Sequence, residues 1–293
     1  MISVIIPTYN NKLHLEATLA SIAKQTLSNE LFEVFVCDDG GVDIEVPMLI
    51  KKYTKYIPNI YYYWHKDDGF RAGECRNIGA KLAKYPYLFF LDTGVLLDKD
   101  VLKLHLNYHK KNPNTALIGR VLGFSNFTNY SYQECLDKSR KLSTNFFMRT
   151  LDTSELYDER DLLYKESGVA FSDLPAPWLF FWTNHCSIEK ASFLSVGGFD
   201  SHFKTWGGED TEIAISLFSS GVNFDIVDRS WSLDLPHLKL NYESESDMNL
   251  AREKFIEKQK YIYGKHDLES VRAWLVHPYE TLNPYLISLR KEQ

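Results

Sequence analysis

The chain has 293 residues with a formal net charge of −6, 44% hydrophobic residues and 25% charged residues. That composition suits a soluble α/β domain with a sizeable core, either as one unit or with a helical tail. The acidic balance, with no basic stripe, argues against nucleic acid as a partner.

In chain order, Ser3–Ile6 is a short, β-branched apolar run that reads as a buried parallel strand ended by Pro7. Leu13, Leu15, Leu19 and Ile22 follow at helical spacing. Phe32–Cys37 reads as a second strand stopping at the turn cluster Asp38-Asp39-Gly40-Gly41, and Ile60–Trp64 as a third. Ala72–Ala83 reads as a helix, and Tyr87–Leu91 as a buried strand closing at Asp92-Thr93-Gly94. Strands alternating with helices over the first hundred residues imply a mainly parallel sheet flanked by helices. In such sheets ligands sit beyond the carboxyl ends of the strands, where Thr8-Tyr9-Asn10, Asp38-Asp39 and Asp92 fall.

Residues 99–111 read as a surface helix, and 125–175 as polar helices and loops over the mouth of the site. Trp178–Thr183 reads as a strand, 190–196 as a short helix, 211–219 as a helix and 222–227 as a strand. From residue 243 the chain is polar and helical, interrupted by Pro278 and Pro284. Cys37, Cys75, Cys135 and Cys186 show no CxxC spacing, which favours reduced thiols over a zinc site. The N-terminal run is too short for a signal peptide and no stretch has the length of a transmembrane segment. The expectation is a cytoplasmic protein, with peripheral attachment to a membrane through the tail left open.

Five stretches together resemble family 2 glycosyltransferases, in that family's order. They are Val4–Asn10, Val36–Gly40, Asp68–Gly79, Gly197–Asp200 and Trp206–Asp210. The third is similar to chondroitin-polymerase-like enzymes, and the last two to β-1,4-galactosyltransferases. The resemblance implies a GT-A-type, Rossmann-like fold over residues 1–242, with a nucleotide-binding half (1–100), an acceptor-side half (101–242) and a helical extension (243–293). It implies an inverting hexosyl- or N-acetylhexosaminyltransferase of glycan biosynthesis. The donor is a nucleotide sugar, UDP-sugar favoured, and the acceptor a carbohydrate, lipid-linked, peptide or small-molecule hydroxyl.

By that resemblance Asp39 contacts the donor base or ribose, and Pro7, Thr8 and Tyr9 wall its pocket. Arg71 and Arg76 divide between pairing a pyrophosphate and making a salt bridge with Asp67, Asp68 or Glu74. Asp92 stands at the first position of the family's DxD motif for Mn²⁺ or Mg²⁺, but residue 94 is glycine, and Asp98 lies too far along to replace it. His237 is the candidate second metal ligand, and His185 a weaker candidate near the donor sugar. In Trp206-Gly207-Gly208-Glu209-Asp210, the resemblance implies that Asp210 is the general base and that Glu209 binds the acceptor beside it. Trp206, Gly207, Gly208 and Glu212 are the expected acceptor contacts, with the indole face against a sugar ring. The rival is a non-catalytic nucleotide-sugar-binding or partner-binding module on the same fold. A nucleotidyltransferase is disfavoured, because residues 7–12 lack a glycine-rich, basic phosphate loop.

Overall fold

The computed structural model of the chain describes residues 1–123, 134, 137, 157–236 and 245–292. Eight strands form one sheet: β1 (Ile2–Thr8), β2 (Phe32–Asp38), β3 (Ile60–Trp64), β4 (Tyr87–Leu91), β5 (Val95–Leu97), β6 (Thr115–Leu122), β7 (His185–Glu189) and β8 (Asn223–Asp234). Their order is β3-β2-β1-β4-β7-β6-β8-β5. The first four run parallel, β7 is antiparallel to β4 and to β6, β6 and β8 are parallel, and β5 closes the edge antiparallel to β8. This is a mixed, mainly parallel sheet, as the alternation of strands and helices predicts.

The pleat of β1 divides the core in two. Ile2, Val4 and Ile6 face one cluster and Ile5 the other, as alternation along a strand requires. On the first face lie α1 (Lys12–Ile22), α2 (Val46–Tyr53) and α4 (Val101–Lys111), through Leu15, Leu19, Leu49 and Leu102. On the second lies α3 (Ala72–Leu82), which approaches β1 so closely that a Cβ at Gly79 would sit 2.5 Å from Ile5 Cγ2. Covering both faces explains why β1 and β2 are apolar runs and not alternating ones.

Further along come α5 (Glu159–Glu166), α6 (Lys190–Ser195) and α7 (Glu209–Ser219), then the tail helices α8 (Glu245–Lys265), α9 (Glu269–Trp274) and α10 (Tyr279–Glu292). Ile262, Val271, Trp274, Leu282 and Leu286 of the tail join the core cluster that holds Ile5, Phe90 and Trp178. Trp178 and Trp274 meet edge to face at 5.5 Å, and the Asn283 amide bonds both backbone groups of Ala176. The boundary expected at 242/243 lies outside the described residues. No helix among the described residues is long and apolar enough to cross a membrane.

Several sequence expectations need correction. Trp178–Thr183 is not a strand: Pro177–Phe180 is a turn of 3₁₀ helix, and the strand starts at His185. Pro177 fixes the φ of the first position and favours a tight turn there. The strand expected over 222–227 runs on to Asp234. Helix α2 and strands β5 and β6 were not foreseen. Of the mouth region, only 134, 137 and residues from 157 onward are described.

A polar layer crosses the first face of the sheet. His105 bonds Ser187 through Nδ1 and Ser230 through Nε2, His109 bonds Ser187, and His185 bonds Ser232 and Ser230. His185 is therefore an interior group with both ring nitrogens engaged, not a donor-sugar contact. Its ring also fills the space beside Gly119, where a Cβ would lie 2.1 Å away.

Burial pushes His109 and His185 down to about 3, and His105 well below its ordinary value. Each stays neutral in the fold while the unfolded chain takes up a proton below about pH 6.5. The stability they contribute is complete above that pH and is lost as pH falls toward 3. Of the nine histidines, these three are expected to hold neutral-imidazole NMR shifts from neutral pH down to about pH 4.5. Protonation of any of them near pH 6.5 would contradict the buried network.

Candidate active site

The carboxyl ends of β1, β2 and β4 meet at one rim, where the Asp39 N–H bonds the Thr8 carbonyl. Asp38 faces inward and is a structural turn residue: it accepts from the Gly41 N–H at 2.7 Å and the Tyr62 hydroxyl at 2.7 Å. Asp39 is 6% exposed and accepts from the Arg71 N–H at 2.6 Å, with His65 Nε2 2.9 Å and Arg71 Nε 3.2 Å away. Burial raises its carboxyl above the ordinary value, opposed by Arg71 and His65. Tyr9 is half exposed and donates to Asp67, while the Thr93 hydroxyl bonds the Pro7 carbonyl. The buried Thr8 hydroxyl has no partner among the described residues. Carboxylate, imidazole and thiol atoms of Asp39, His65 and Cys75 lie within 4.8 Å of one another. Arg71 also pairs with that carboxylate.

Both expected phosphate-binding arginines are engaged by carboxylates. Arg71 pairs with Asp39 and, at 3.7 Å, with Glu74, one of its foreseen partners. Arg76, its side chain 4% exposed, holds Asp92 at 2.6 Å and stands 3.8 Å from Asp210. The α3 register explains this: Arg76 lies five residues after the N-cap Arg71, about 140° further round the helix, and reaches the carboxylate that follows β4. Arg76 thus joins the carboxylate after β4 to the carboxylate that opens α7.

Gly208, with φ +96°, caps α7, and a Cβ there would lie 2.8 Å from the Phe203 ring. Glycine is required at that junction. The turn sets Glu209, Asp210 and Glu212 in the first turn of the helix, where the dipole favours negative charge. Asp210 is fixed by two bonds from Thr183, 2.5 Å from Oγ1 and 3.1 Å from the N–H. Its side chain keeps 28% exposure. Burial raises its carboxyl, while Arg76 and Thr183 pull it back. Glu209 is 6% exposed, its Oε2 has no partner among the described residues, and burial followed by the charge of Asp210 drives its carboxyl up. The pair is therefore an anchored carboxylate beside a second carboxyl whose burial biases it toward its neutral form.

Trp206 is 66% exposed just ahead of this pair. Lys258 of α8 clasps the backbone behind it, 2.6 Å from the Trp206 carbonyl and 3.3 Å from that of Thr205. Glu212 differs from expectation. Its side chain is 1% exposed and accepts from Lys265 at 2.7 Å, from His266 at 2.9 Å and from Ser216. It ties α7 to α8 and is enclosed by that packing, so it has no open face for an acceptor. Between the two sides of the site lies a cavity of about 200 Å³ with Arg71 and Glu74 on one wall and Asp200 and Phe203 on the other.

The expected second metal carboxylate is missing for a visible reason. Gly94 has φ +104°, and a Cβ there would lie 2.9 Å from His14 Cδ2. His237 lies outside the described residues. Sequence reasoning missed Asp234, the last residue of β8, which is 6% exposed and pushed up to about 8 by burial and then by Asp92. Its titration runs opposite to that of the histidines: its contribution to stability is complete below the ordinary aspartate value and is lost as pH rises through 8. Thr183, His65 and Lys258 were also missed. Each is ordinary in sequence and gains its meaning only from tertiary contact.

Residues 3–161 match the family model for glycosyl transferase family 2, and residues 168–243 match that described as the N-terminal domain of galactosyltransferase. Among curated proteins, the chain is 33% identical over 260 residues to validoxylamine A glucosyltransferase of Streptomyces hygroscopicus subsp. limoneus, covering 88% of this chain and 56% of that protein. It is 26% identical over 271 residues to chondroitin synthase of Pasteurella multocida (strain Pm70), covering 90% of this chain and 28% of the relative. The chain thus spans less than two thirds of either relative. Among solved structures, S. aureus TarS 1-349 in complex with UDP-GlcNAc superposes with a TM-score of 0.65 at 17% identity, over 94% of this chain and 71% of that one.

Proposed function

Because the chain belongs to glycosyl transferase family 2, we propose that it is an inverting glycosyltransferase. It moves a hexosyl or N-acetylhexosaminyl group from a UDP-sugar to an acceptor hydroxyl, with Asp210 as general base. The observation that carries this reading is the link through Arg76, which spans Asp92 on the donor side and Asp210 at the head of α7. A base is thereby held within one charged network beside the rim of Asp39. Relatives named for glucosyl transfer and a structural neighbour that holds UDP-GlcNAc support a UDP-linked hexose as donor.

The acceptor oxygen attacks the anomeric carbon as its bond to the diphosphate breaks, and Asp210 takes the hydroxyl proton. One carboxylate suffices, because the leaving diphosphate needs no protonated side chain as a glycosidase's leaving group does. Thr183 orients that carboxylate, and Glu209, biased toward its neutral form, offers a hydrogen bond to an acceptor hydroxyl. Trp206 supplies an apolar face for the acceptor ring, and Asp39 faces the polar edge of the base. A divalent cation held by Asp92 would neutralise charge on the departing diphosphate.

The test is UDP release from UDP-glucose, UDP-N-acetylglucosamine and UDP-galactose, with and without simple sugar and cyclitol acceptors. At least one donor is expected to turn over, activity is expected to fall on treatment with chelator, and Mn²⁺ is expected to restore it. Tight UDP binding with no hydrolysis or transfer would instead establish the non-catalytic module. Undiminished turnover in chelator would mark a metal-independent site.

A further inference from the structure

We propose that Lys258, on the tail helix α8, is a positioning residue for the acceptor: by holding the peptide groups on both sides of Trp206 it fixes the indole on which the acceptor ring stacks. The proposal rests on the acceptor reading of Trp206 above and places one determinant of acceptor affinity in the tail.

The loop needs support from outside itself. Gly207 and Gly208 both have positive φ, +88° and +96°, and the space beside Gly207 is open. Among the described residues, no backbone–backbone hydrogen bond reaches Thr205, Trp206 or Gly207. Trp206 itself is 66% exposed. Two consecutive glycines without such bonds leave the chain free to turn, and ordering it costs conformational entropy.

Lys258 supplies that support from one atom. Its Nζ lies 2.6 Å from the Trp206 carbonyl and 3.3 Å from the Thr205 carbonyl. These carbonyls belong to the two peptide planes that flank the Trp206 Cα. Each plane is rigid, so a cation that holds both restrains φ and ψ of Trp206 together, and with them the direction of its side chain. The stem adds to the hold: Lys258 Cδ lies 3.3 Å from the point where a Cβ at Gly208 would stand. Lys258 is half-buried, while residues 252–257 and 260 are exposed. Burial pulls its ammonium below the ordinary lysine value, opposed by the charge of Glu209.

The helix that carries Lys258 is itself anchored. Lys258, Tyr261, Ile262, Lys265 and His266 recur at three- and four-residue spacing and so share one face of α8. Tyr261 donates to Asp200 at 2.8 Å and stacks on the His202 ring at 3.7 Å. Ile262 is fully buried, and Lys265 and His266 bond Glu212 at 2.7 and 2.9 Å. Those contacts fix the helix against segment 200–212, so Lys258 reaches the loop from a rigid base.

The first measurement is ¹⁹F NMR of the full chain labelled with 5-fluorotryptophan, with Trp206 assigned among the six tryptophans by its loss in Trp206→Phe. In Lys258→Met the Trp206 line is expected to move toward the position of the free amino acid while the other five stay in place. Lys258→Arg is expected to restore it. The second measurement is transfer from the three UDP-sugars above to methyl β-D-glucoside and to myo-inositol. Lys258→Met is expected to raise the acceptor KM about tenfold, the worth of one hydrogen bond from a charged group, with kcat and the donor KM within about twofold of the wild type. Trp206→Ala should raise the acceptor KM by itself. Adding Lys258→Met to it should change that value by less than about twofold, because the two residues act through one contact.

An unmoved Trp206 line in Lys258→Met overturns the proposal. So does a fall in kcat at unchanged acceptor KM, or a Lys258→Met effect as large in Trp206→Ala as in the wild type. Displacement of all six lines also overturns it, because that pattern marks a general structural residue. A wild type that releases UDP from none of the donors, with a Trp206 line that still depends on Lys258, removes the transferase reading and keeps the hold of Lys258 on the loop.

Discussion

Replacing Asp210 with asparagine is expected to lower kcat for sugar transfer by at least about a hundredfold, within the range a positioned general base supplies. UDP affinity should stay within about twofold of the wild type. The geometry separates the two effects. Asp210 is held by Thr183 and stands 3.8 Å from Arg76, whose short contact is with Asp92. An amide of the same shape can still accept one bond from Thr183 but cannot take a proton from an incoming alcohol. The donor rim of Thr8, Asp39 and Arg71 is untouched by the change. Single-turnover transfer alongside UDP titration would check it. Normal turnover by Asp210→Asn would remove the base from this position and the mechanism with it.

Arg76→Met is expected to be the most destabilising substitution in the site, costing about 3–5 kcal/mol, the usual range for breaking a buried ion pair by removing one partner. The guanidinium is enclosed, lies 5.4 Å from the Phe199 ring and faces Asp92 and Asp210, with the charge of Glu209 close by. Methionine fills part of the volume but leaves these carboxylates facing one another without a cation. Their values in the folded state then rise above the unfolded ones. The stability of such groups is complete below the ordinary carboxylate range and is lost as pH rises. The deficit relative to wild type should therefore shrink as pH is lowered from about 7.5 to about 5. Urea unfolding across that range is the measurement. A loss under about 1 kcal/mol, or one that grows on acidification, would mean Arg76 does not carry this load.

The parts of this protein legible in sequence are those fixed by local pattern. Strands β1, β2 and β4 are buried on both faces, so their apolar runs announce them, and the polar clusters after them mark the rim. Two adjacent glycines before an acidic pair mark the head of α7, because a left-handed junction and a helix dipole both leave a compositional trace. What stayed hidden depends on partners far away in the chain. Strand β6 contains Gly119 and reads weakly, yet that glycine makes room for the His185 ring. Trp178–Thr183 has the composition of a strand, but Pro177 and packing against the tail give a 3₁₀ turn. Arg76, Glu212 and His185 each carry side chains suited to ligands. Whether such a group faces a cleft or the interior is decided by side-chain partners 16 to 54 residues away.

The grip of α8 on the loop around Trp206 has an evolutionary corollary. Lys258 holds the loop by its carbonyls, Lys265 reaches both Asp200 and Glu212, and His266 completes the clasp. Segments 200–212 and 258–266 are thus halves of one joint, and a change in one is expected to need a matching change in the other. A chimera that borrows the first from a relative inherits a mismatched joint unless the second travels with it.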